Sequence, residues 1–277
     1  MRITGHAEVR AVLSDPSYVP PPPPPGAAYG TLGWLRSQVS RFASGAVHAE
    51  RRALVEGRLS RMDPAALRTA AAAATRALLT APSEERPAAA ASPSHETTSQ
   101  RSSAPGDVDG RVLAYGVPTR VLGAALGIRD LDALVPAVES AATGYLSGAA
   151  TPDTDAAVAR LLTLAELPEI TILLQAHGAV TALLRNALAT PRATGTATAT
   201  AATATATATA TAESLLRDTL RHDPPVRATK RVDGTGALVE VDLTPDLPFG
   251  HGPRRCPGSD HAMAIATGVL ETIMEYR

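Results

Sequence analysis

The chain has 277 residues and a net charge of −1, which argues against nucleic acid as a partner. Its apolar content of 44% is enough for a sizeable hydrophobic core, and its single cysteine excludes an intramolecular disulfide framework. The N-terminus contains no long hydrophobic segment, so neither a signal peptide nor a membrane anchor is expected. These properties predict a soluble, cytoplasmic protein that does not associate with a membrane.

Helical periodicity of apolar residues covers most of the chain, and strand-like patterns occur only in a short stretch near its end. Asp63 followed by Pro64 is typical of a helix start, with the aspartate as N-cap and the proline in the first turn. Two short strands are predicted on either side of a turn at 233–236. The predicted helices cover residues 5–13, 31–42, 48–59, 64–81, 107–126, 131–146, 152–164, 168–188, 213–221 and 261–273, and the predicted strands cover 225–231 and 238–243.

Two segments interrupt this pattern. Residues 82–106 are rich in Ser, Pro, Ala and Glu, and residues 191–212 are a near-perfect alternation of Thr and Ala. Neither segment contains the bulky apolar residues that a packed face requires. Both are therefore interpreted as low-complexity, disordered insertions in a single domain that spans residues 1–277.

The helix predicted over 168–188 is apolar almost all round, which indicates a central, buried position. Its few polar residues are therefore informative, and they are Gln175, His177 and Thr181, with Gly178 between them. A polar side chain on such a helix either bonds back to its own backbone or serves a site inside the core.

The loop 249–258 holds the only cysteine of the chain, Cys256, and an apolar, helix-prone run follows it directly. A helix N-terminus and loop amide groups favour negative charge, and therefore the thiolate form of a cysteine. Glycines in the loop allow the backbone to approach a flat ligand closely. These properties predict a thiolate ligand loop for haem iron, and the alternative is a buried, inert cysteine.

The spacing of Phe249, Gly252, Arg254, Cys256 and Gly258 resembles the haem-binding loop of the cytochrome P450 family. The resemblance implies a mainly α, cytochrome P450-like helical fold with a small β portion. It also implies haem b as cofactor, with Cys256 as the ligand of the iron. The implied activity is that of a haem-thiolate monooxygenase, which oxidises a small organic substrate of secondary metabolism with O2 and with electrons from a ferredoxin-type partner.

Further haem contacts follow from the same resemblance. His48 and Arg52 stand four residues apart on one predicted helix face, and this spacing is similar to the family's pair that holds the haem propionates. Arg231 in the first predicted strand and Arg254 before the cysteine are each expected to reach a propionate. The implied cofactor-binding residues are His48, Arg52, Arg231, Phe249, Arg254, Cys256 and Gly258.

Two more assignments rest on the resemblance. Thr181 is expected to relay protons to bound dioxygen, although Val180 stands where the family usually has an acidic residue. Asp218 and Arg221 are expected to form the ion pair that locks the fold around the cysteine loop, with a pair four residues apart, Glu213 and Arg217, as the alternative.

The sequence also departs from the family's pattern. The chain begins near the family's second helix, keeps almost nothing of the segment that normally lies between Leu243 and Phe249, and ends without the terminal strands. A shortened, divergent member is therefore expected. One alternative is a haem-binding or degenerate protein without monooxygenase activity. Another is a protein with a nucleophilic Cys256 that uses His251 or His261 as its base.

Overall fold

The computed structural model of the protein describes residues 1–81, 110, 112–113, 115–189 and 201–276. The helices are α1 (His6–Ser14), α2 (Leu32–Gln38), α3 (Gly45–Leu59), α4 (Pro64–Thr80), α5 (Val117–Ala125), α6 (Leu131–Tyr145), α7 (Pro152–Leu164), α8 (Leu167–Ala189), α9 (Ala201–His222) and α10 (Ser259–Glu275). The strands are β1 (Arg2–Ile3), β2 (Ala228–Val232) and β3 (Leu238–Asp242). The predicted mainly helical architecture with a small β portion is confirmed.

Helix α8 lies at the centre of the main hydrophobic core. It packs against α3, α5, α6, α9 and α10, and its residues Ile170, Leu173 and Leu184 are almost fully buried. By length and composition alone α8 could cross a membrane. Its burial among other helices accounts for its apolar character, because a helix that is apolar all round is stable inside a protein core. The central position predicted for this helix is confirmed.

Helices α4 and α10 pack very closely. Gly268 makes this approach possible, because a Cβ atom on it would lie 2.2 Å from the backbone oxygen of Arg68. The Arg68 side chain pairs with Glu271 of α10 at 2.8 Å and with Glu213 of α9 at 3.2 Å. These contacts tie three helices together, and one of them, α10, begins directly after the cysteine loop.

The three strands form a sheet of order β1-β3-β2, in which β1 is parallel and β2 antiparallel to β3. Asp233 stabilises the turn between β2 and β3, since its carboxylate accepts hydrogen bonds of 2.9 Å from the backbone N–H groups of Thr235 and Ala237. The sheet packs on α1 through a second, smaller core, which contains Ile3, Val9, Val12, Leu13, Val239, Val241 and Leu243. The sheet therefore has its own support and presents one end of β2 to the helical core.

Most helix boundaries lie close to the predicted ones. Asp63 caps α4 as predicted, because its carboxylate accepts hydrogen bonds of 3.1 and 3.3 Å from N–H groups of the first turn. The helix predicted over 31–42 is broken at Val39, which is buried and extended (φ −92°, ψ 156°), and a short 3₁₀ turn at Ser40–Phe42 follows. A β-branched residue favours the extended conformation, and here its burial fixes the break.

Residues 201–212 form the first half of α9, which differs from the disorder predicted for 191–212. Ala212 and Leu216 are completely buried, so the helix is docked on the core through its second half. Alanine has the highest helix propensity of all residues, and the Thr-Ala repeat therefore extends a helix that packing has already started. Residues 191–200 and the other predicted insertion, 82–106, lie outside the described residues.

Candidate functional site

A cavity of about 420 Å³ lies among α3, α5, α8, α10 and the cysteine loop. This volume falls within the range of small-molecule and cofactor pockets, roughly 300–1,000 Å³. Most of the lining is apolar, including Val55, Leu59, Leu122, Leu173, Val180, Leu220, Phe249 and Ile265. An apolar cavity with a few polar groups is the usual form of a binding site.

The cysteine loop forms one wall of this cavity. The backbone N–H of Cys256 donates to the carbonyl oxygen of Phe249 at 2.8 Å, which closes the loop. Gly252 has a φ of +66°, and a Cβ atom on it would lie 2.7 Å from the carbonyl oxygen of Leu13 at the end of α1. A side chain at this position would be strained and would push the loop away from α1. The loop therefore depends on this glycine for its position.

The thiol of Cys256 is half-buried and lines the cavity. Burial raises the pKa of this thiol, whereas the backbone N–H of Gly258 and the charges of Arg52, Arg255 and Arg41 lower it by smaller amounts. The thiol is therefore protonated at neutral pH in the protein alone. A reactive cysteine nucleophile requires a lowered pKa, whereas a bound metal ion deprotonates a thiol directly. The environment of Cys256 thus suits a metal ligand better than a free nucleophile.

Four arginines from distant parts of the chain line the same cavity, and they are Arg41, Arg52, Arg231 and Arg254. Arg231 is only 8% exposed, and its guanidinium group donates to two neutral oxygen atoms of β2 at 2.8 and 2.9 Å. Burial and the charges of Arg254 and Arg41 lower the pKa of Arg231 to about 10. Within the described ranges only Arg52 has a carboxylate partner, Glu56 at 2.6 Å. A buried charge is stabilised by a partner of opposite charge, so the buried Arg231 and the partly buried arginines beside it suit an anionic ligand.

Hydrogen bonds connect the cysteine loop to the segment around α3. Arg52 Nη2 donates to the carbonyl oxygen of Arg255 at 2.7 Å. In the opposite direction, Arg254 Nη2 donates to the carbonyl oxygen of Ala43 at 2.7 Å, just before α3. Arg52 thus holds the loop by its backbone, and Arg254 anchors the loop through its own side chain. The charges of both arginines remain next to the cavity.

His48 lies beside the cavity rather than on its lining. Burial and the charges of Arg254 and Arg52 lower the pKa of His48 from 6.5 to about 4, so the imidazole is neutral near pH 7. His48 and Arg52 both lie on α3 and both lie near the cavity. Only Arg52 is part of its lining.

The two histidines considered as bases for Cys256, His251 and His261, both line the cavity. Nε2 of His261 lies 3.0 and 3.1 Å from the carbonyl oxygens of Leu59 and Met62, and carbonyl oxygens only accept, so this nitrogen donates. His261 thereby joins α10 to the end of α3. This structural role, with the raised pKa of the Cys256 thiol, argues against a nucleophile–base pair.

Helix α8 borders the cavity along its middle, where residues 172–180 and Leu183 all belong to the lining. Thr181, the residue after Val180, is half-buried and is not part of the lining. Its role in proton relay stays a prediction.

The predicted ion pair of Asp218 and Arg221 does not form, and both residues are exposed on α9. The alternative pair is present, since Arg217 lies 2.9 Å from Glu213. Glu213 also pairs with Arg68, which connects α9 to α4. Asp218 and Arg221 face solvent because the buried side of α9 is occupied by apolar residues such as Leu216.

Several residues of the site were missed by the sequence analysis. Arg41 lines the cavity although it lies in the short 3₁₀ turn that was predicted as part of a helix. His177, noticed only as a polar residue on an apolar helix, also lines the cavity, and its Nδ1 lies 2.9 Å from Oγ1 of Thr119. No sequence signal joins these residues, because they come from segments that are far apart in the chain.

Across the described residues there is no group of three or more His, Cys, Asp or Glu side chains that could hold a metal ion.

No protein-family model and no curated protein matches the chain. Solved structures do match it. The chain is similar to P450BioI in its complex with an acyl carrier protein ligated with hexadec-9Z-enoic acid, with a TM-score of 0.67, 15% identity, and coverage of 99% of this chain and 84% of that chain.

Two further solved structures are similar to almost the whole chain. CYP154A1 from Streptomyces coelicolor A3(2) has a TM-score of 0.63 at 18% identity, with coverage of 97% of this chain and 82% of that chain. CYP164A2 from Mycobacterium smegmatis in its ligand-free state has a TM-score of 0.61 at 19% identity, with coverage of 98% and 82%. At these identities the likeness shows a common fold.

Proposed function

Because this chain has the cytochrome P450 fold, we propose that it is a haem-thiolate monooxygenase with haem b in the cavity and Cys256 as the iron ligand. One observation carries the proposal: the only thiol of the chain lines the same apolar cavity as four arginines, three of which have no carboxylate partner among the described residues. Haem has a matching set of properties, because its iron takes a thiolate, its ring is apolar and its two propionates are anionic.

The residues of the cavity fit this group. Arg41, Arg52, Arg231 and Arg254 would hold the propionates, whose charges would neutralise the guanidinium cluster. The described residues offer no cluster of protein ligands for a bare metal ion, so a metal at Cys256 needs a cofactor that supplies most of the coordination. Haem does so, since the protein contributes only axial ligands.

The protein would contribute position and environment. Arg52 holds the backbone of the cysteine loop, and the side chain of Arg254 ties the loop to the carbonyl oxygen of Ala43; together they would fix the thiolate relative to the cavity. The apolar wall excludes water, and the nearby guanidinium groups favour the thiolate over the thiol once a metal is bound. When bound, haem supplies the O2 and one-electron chemistry that side chains lack.

The reaction we propose is the oxidation of a small organic substrate with O2 and with electrons from a ferredoxin-type partner, in the cytoplasm. The size and apolar lining of the cavity support a small substrate of this kind. Arg255 is exposed next to Cys256, and a basic residue there would favour an acidic electron donor.

A second function is favoured by one observation on α8. Val180 lines the cavity and Thr181 does not, so this helix presents no hydroxyl group at the position expected for proton relay. A protein of this kind would bind haem without supporting oxygenation. The two functions share the cofactor site and differ only in turnover.

The test is to express the protein with a haem precursor and to record the absorption spectrum of the reduced protein under carbon monoxide. We expect the red-shifted Soret band of thiolate-ligated haem, and its loss in Cys256→Ala. Absence of haem, or a spectrum that Cys256→Ala leaves unchanged, would contradict the proposal. Turnover with NADPH, a ferredoxin and its reductase then separates the monooxygenase from the haem-binding protein without oxygenase activity.

A further inference from the structure

His177 of α8 lines the cavity and is oriented by Thr119 of α5. Its Nδ1 atom lies 2.9 Å from Oγ1 of Thr119, a residue that is only 3% exposed. Neither side chain makes another hydrogen bond within the part of the chain that the structure describes. The imidazole therefore has one nitrogen, Nδ1, that is bound within the protein, and a second, Nε2, that remains available to a ligand.

The hydroxyl group of Thr119 determines which nitrogen of His177 carries the hydrogen. A threonine in a helix commonly donates to the carbonyl oxygen four residues earlier, as Thr171 does at 2.7 Å. For Thr119 that carbonyl belongs to Tyr115, which accepts from Arg120 Nε at 3.1 Å, and among the described residues the Thr119 hydroxyl has no hydrogen-bond partner other than Nδ1 of His177. Nδ1 of His177 is then the acceptor for the Thr119 hydroxyl. A neutral imidazole that accepts at Nδ1 carries its hydrogen on Nε2.

The charge state of His177 is consistent with this tautomer. Burial lowers the pKa of His177, so the ring is neutral near pH 7. A neutral imidazole with hydrogen on Nε2 acts as a hydrogen-bond donor towards the cavity, and it does so without adding to the positive charge of the arginine cluster.

We propose that the Nε2–H group of His177 donates a hydrogen bond to a diatomic ligand of the haem iron. This inference rests on the proposed function, because the ligand is held on the haem. Val180 lines the cavity and Thr181 does not, so His177 takes the place of a hydroxyl donor on this helix. Donors in the pocket around a haem ligand influence whether O2 is bound or activated.

The tautomer can be tested in the haem-free protein by nitrogen NMR of isotopically labelled histidine, with His177→Phe used for assignment. We expect His177 to carry its hydrogen on Nε2, and Thr119→Val to abolish this preference. The isosteric valine removes only the hydroxyl that donates to Nδ1. A ring with its hydrogen on Nδ1 in the unsubstituted protein would overturn the inference without touching the proposed function.

The hydrogen bond itself can be tested with carbon monoxide as the probe, in reduced protein loaded with haem. A donor next to the bound molecule strengthens back-bonding from iron and lowers the C–O stretching frequency. We therefore expect the infrared C–O band to move to higher wavenumber in His177→Phe, and carbon monoxide to dissociate roughly 2- to 10-fold faster, as expected for one lost hydrogen bond. Thr181→Val, on the same helix but not on the cavity lining, should leave the band unchanged.

The results separate the two proposals. A C–O band that is equal in His177→Phe and in the unsubstituted protein overturns the inference about His177 while the haem site stands. A band that moves equally in Thr181→Val also overturns it, since the effect would then not be specific to the imidazole. A protein that binds no haem overturns the proposed function and the hydrogen bond together, and the NMR result then decides the tautomer alone.

Discussion

The guanidinium group of Arg52 donates a hydrogen bond of 2.7 Å to the carbonyl oxygen of Arg255, the residue immediately before Cys256. Its Nε atom donates to Glu56 at 2.6 Å, one turn further along α3. A helix thus holds the backbone of the cysteine loop from one side. The segment between Leu243 and Phe249 is short, so the contact with α3 is an important support of the loop.

We expect Arg52→Gln to weaken haem binding roughly 10- to 100-fold, the usual effect of removing a residue that supports a metal ligand. The substitution removes both the hydrogen bond to the loop and a positive charge that lowers the pKa of the Cys256 thiol. In haem-free protein we therefore also expect slower alkylation of Cys256 by iodoacetamide at a fixed neutral pH. Haem affinity is measured by titration and transfer to apomyoglobin.

Arg61→Gln is the control for this prediction. Arg61 is exposed just after α3 and is not part of the cavity lining, so its loss should change neither haem affinity nor the alkylation rate. If Arg52→Gln and Arg61→Gln behaved alike, Arg52 would have no special part in holding the loop.

The burial of neutral His48 predicts a pH dependence of stability. The pKa of His48 is lowered from 6.5 to about 4 in the folded protein. The unfolded chain therefore binds a proton more readily, and the contribution of His48 to stability is present above pH 6.5 and is lost as the pH falls towards 4. We expect His48→Gln to show a smaller loss of stability than the unsubstituted haem-free protein over this interval, as measured by urea unfolding.

Haem binding should reverse part of the lowering of the His48 pKa. The propionates would neutralise Arg52 and Arg254, whose charges lower the pKa of His48, so the pKa of His48 should rise when haem binds. An NMR titration of labelled histidine in haem-free and reduced, carbon monoxide-bound protein measures this change. Titration of His48 near 6.5 in the haem-free protein would show that it is not desolvated.

The sequence was sufficient to predict the cysteine loop, because its information is local. Within ten residues it contains the thiol, two glycines and an arginine that line one cavity in the folded protein. The start of α4 was predicted for the same reason, since Asp63 caps a helix that begins at the next residue. Features that depend on adjacent residues can be recognised without a three-dimensional arrangement.

The assignments that local sequence does not decide depend on which side of a helix faces the core. Helix α8 is apolar almost all round, so the hydrophobic pattern does not distinguish Val180 from Thr181 as the residue at the cavity. On α9 the spacing of Asp218 and Arg221 permits a pair, but both residues face solvent. Arg41 reaches the cavity because packing of Val39 breaks a helix, which propensity alone does not predict.

The uncompensated charge of Arg231 predicts opposite effects on the haem-free and the haem-loaded protein. We expect Arg231→Met to stabilise the haem-free protein by about 1–3 kcal/mol, because it replaces a buried charge without a carboxylate partner by an apolar side chain of similar length. The same substitution should weaken haem binding about 10-fold or more, since a charge-assisted hydrogen bond to a propionate is lost. Urea unfolding and haem titration measure the two effects.

Lys230→Met is the matched control, because Lys230 is the preceding residue of β2 and is exposed. It should alter neither property appreciably. Destabilisation of the haem-free protein by Arg231→Met would mean that the contacts of the guanidinium group outweigh its burial, and an unchanged haem affinity would remove Arg231 from the set of propionate ligands.

Close packing of α4 and α10 predicts that Gly268 cannot be replaced even by alanine. A Cβ atom at this position would lie 2.2 Å from the backbone oxygen of Arg68, and backbone atoms cannot move aside without shifting a helix. We expect Gly268→Ala to lower the free energy of unfolding by about 1–3 kcal/mol, although alanine is intrinsically the better helix former.

Gly57→Ala is the control, because Gly57 lies inside α3 with nothing within 4 Å of its Cβ position, and it should stabilise the protein by about 0.5–1 kcal/mol. Since α10 begins directly after the cysteine loop, Gly268→Ala should also release haem faster. Equal stability of the two variants in urea would show that α4 and α10 are not packed this closely.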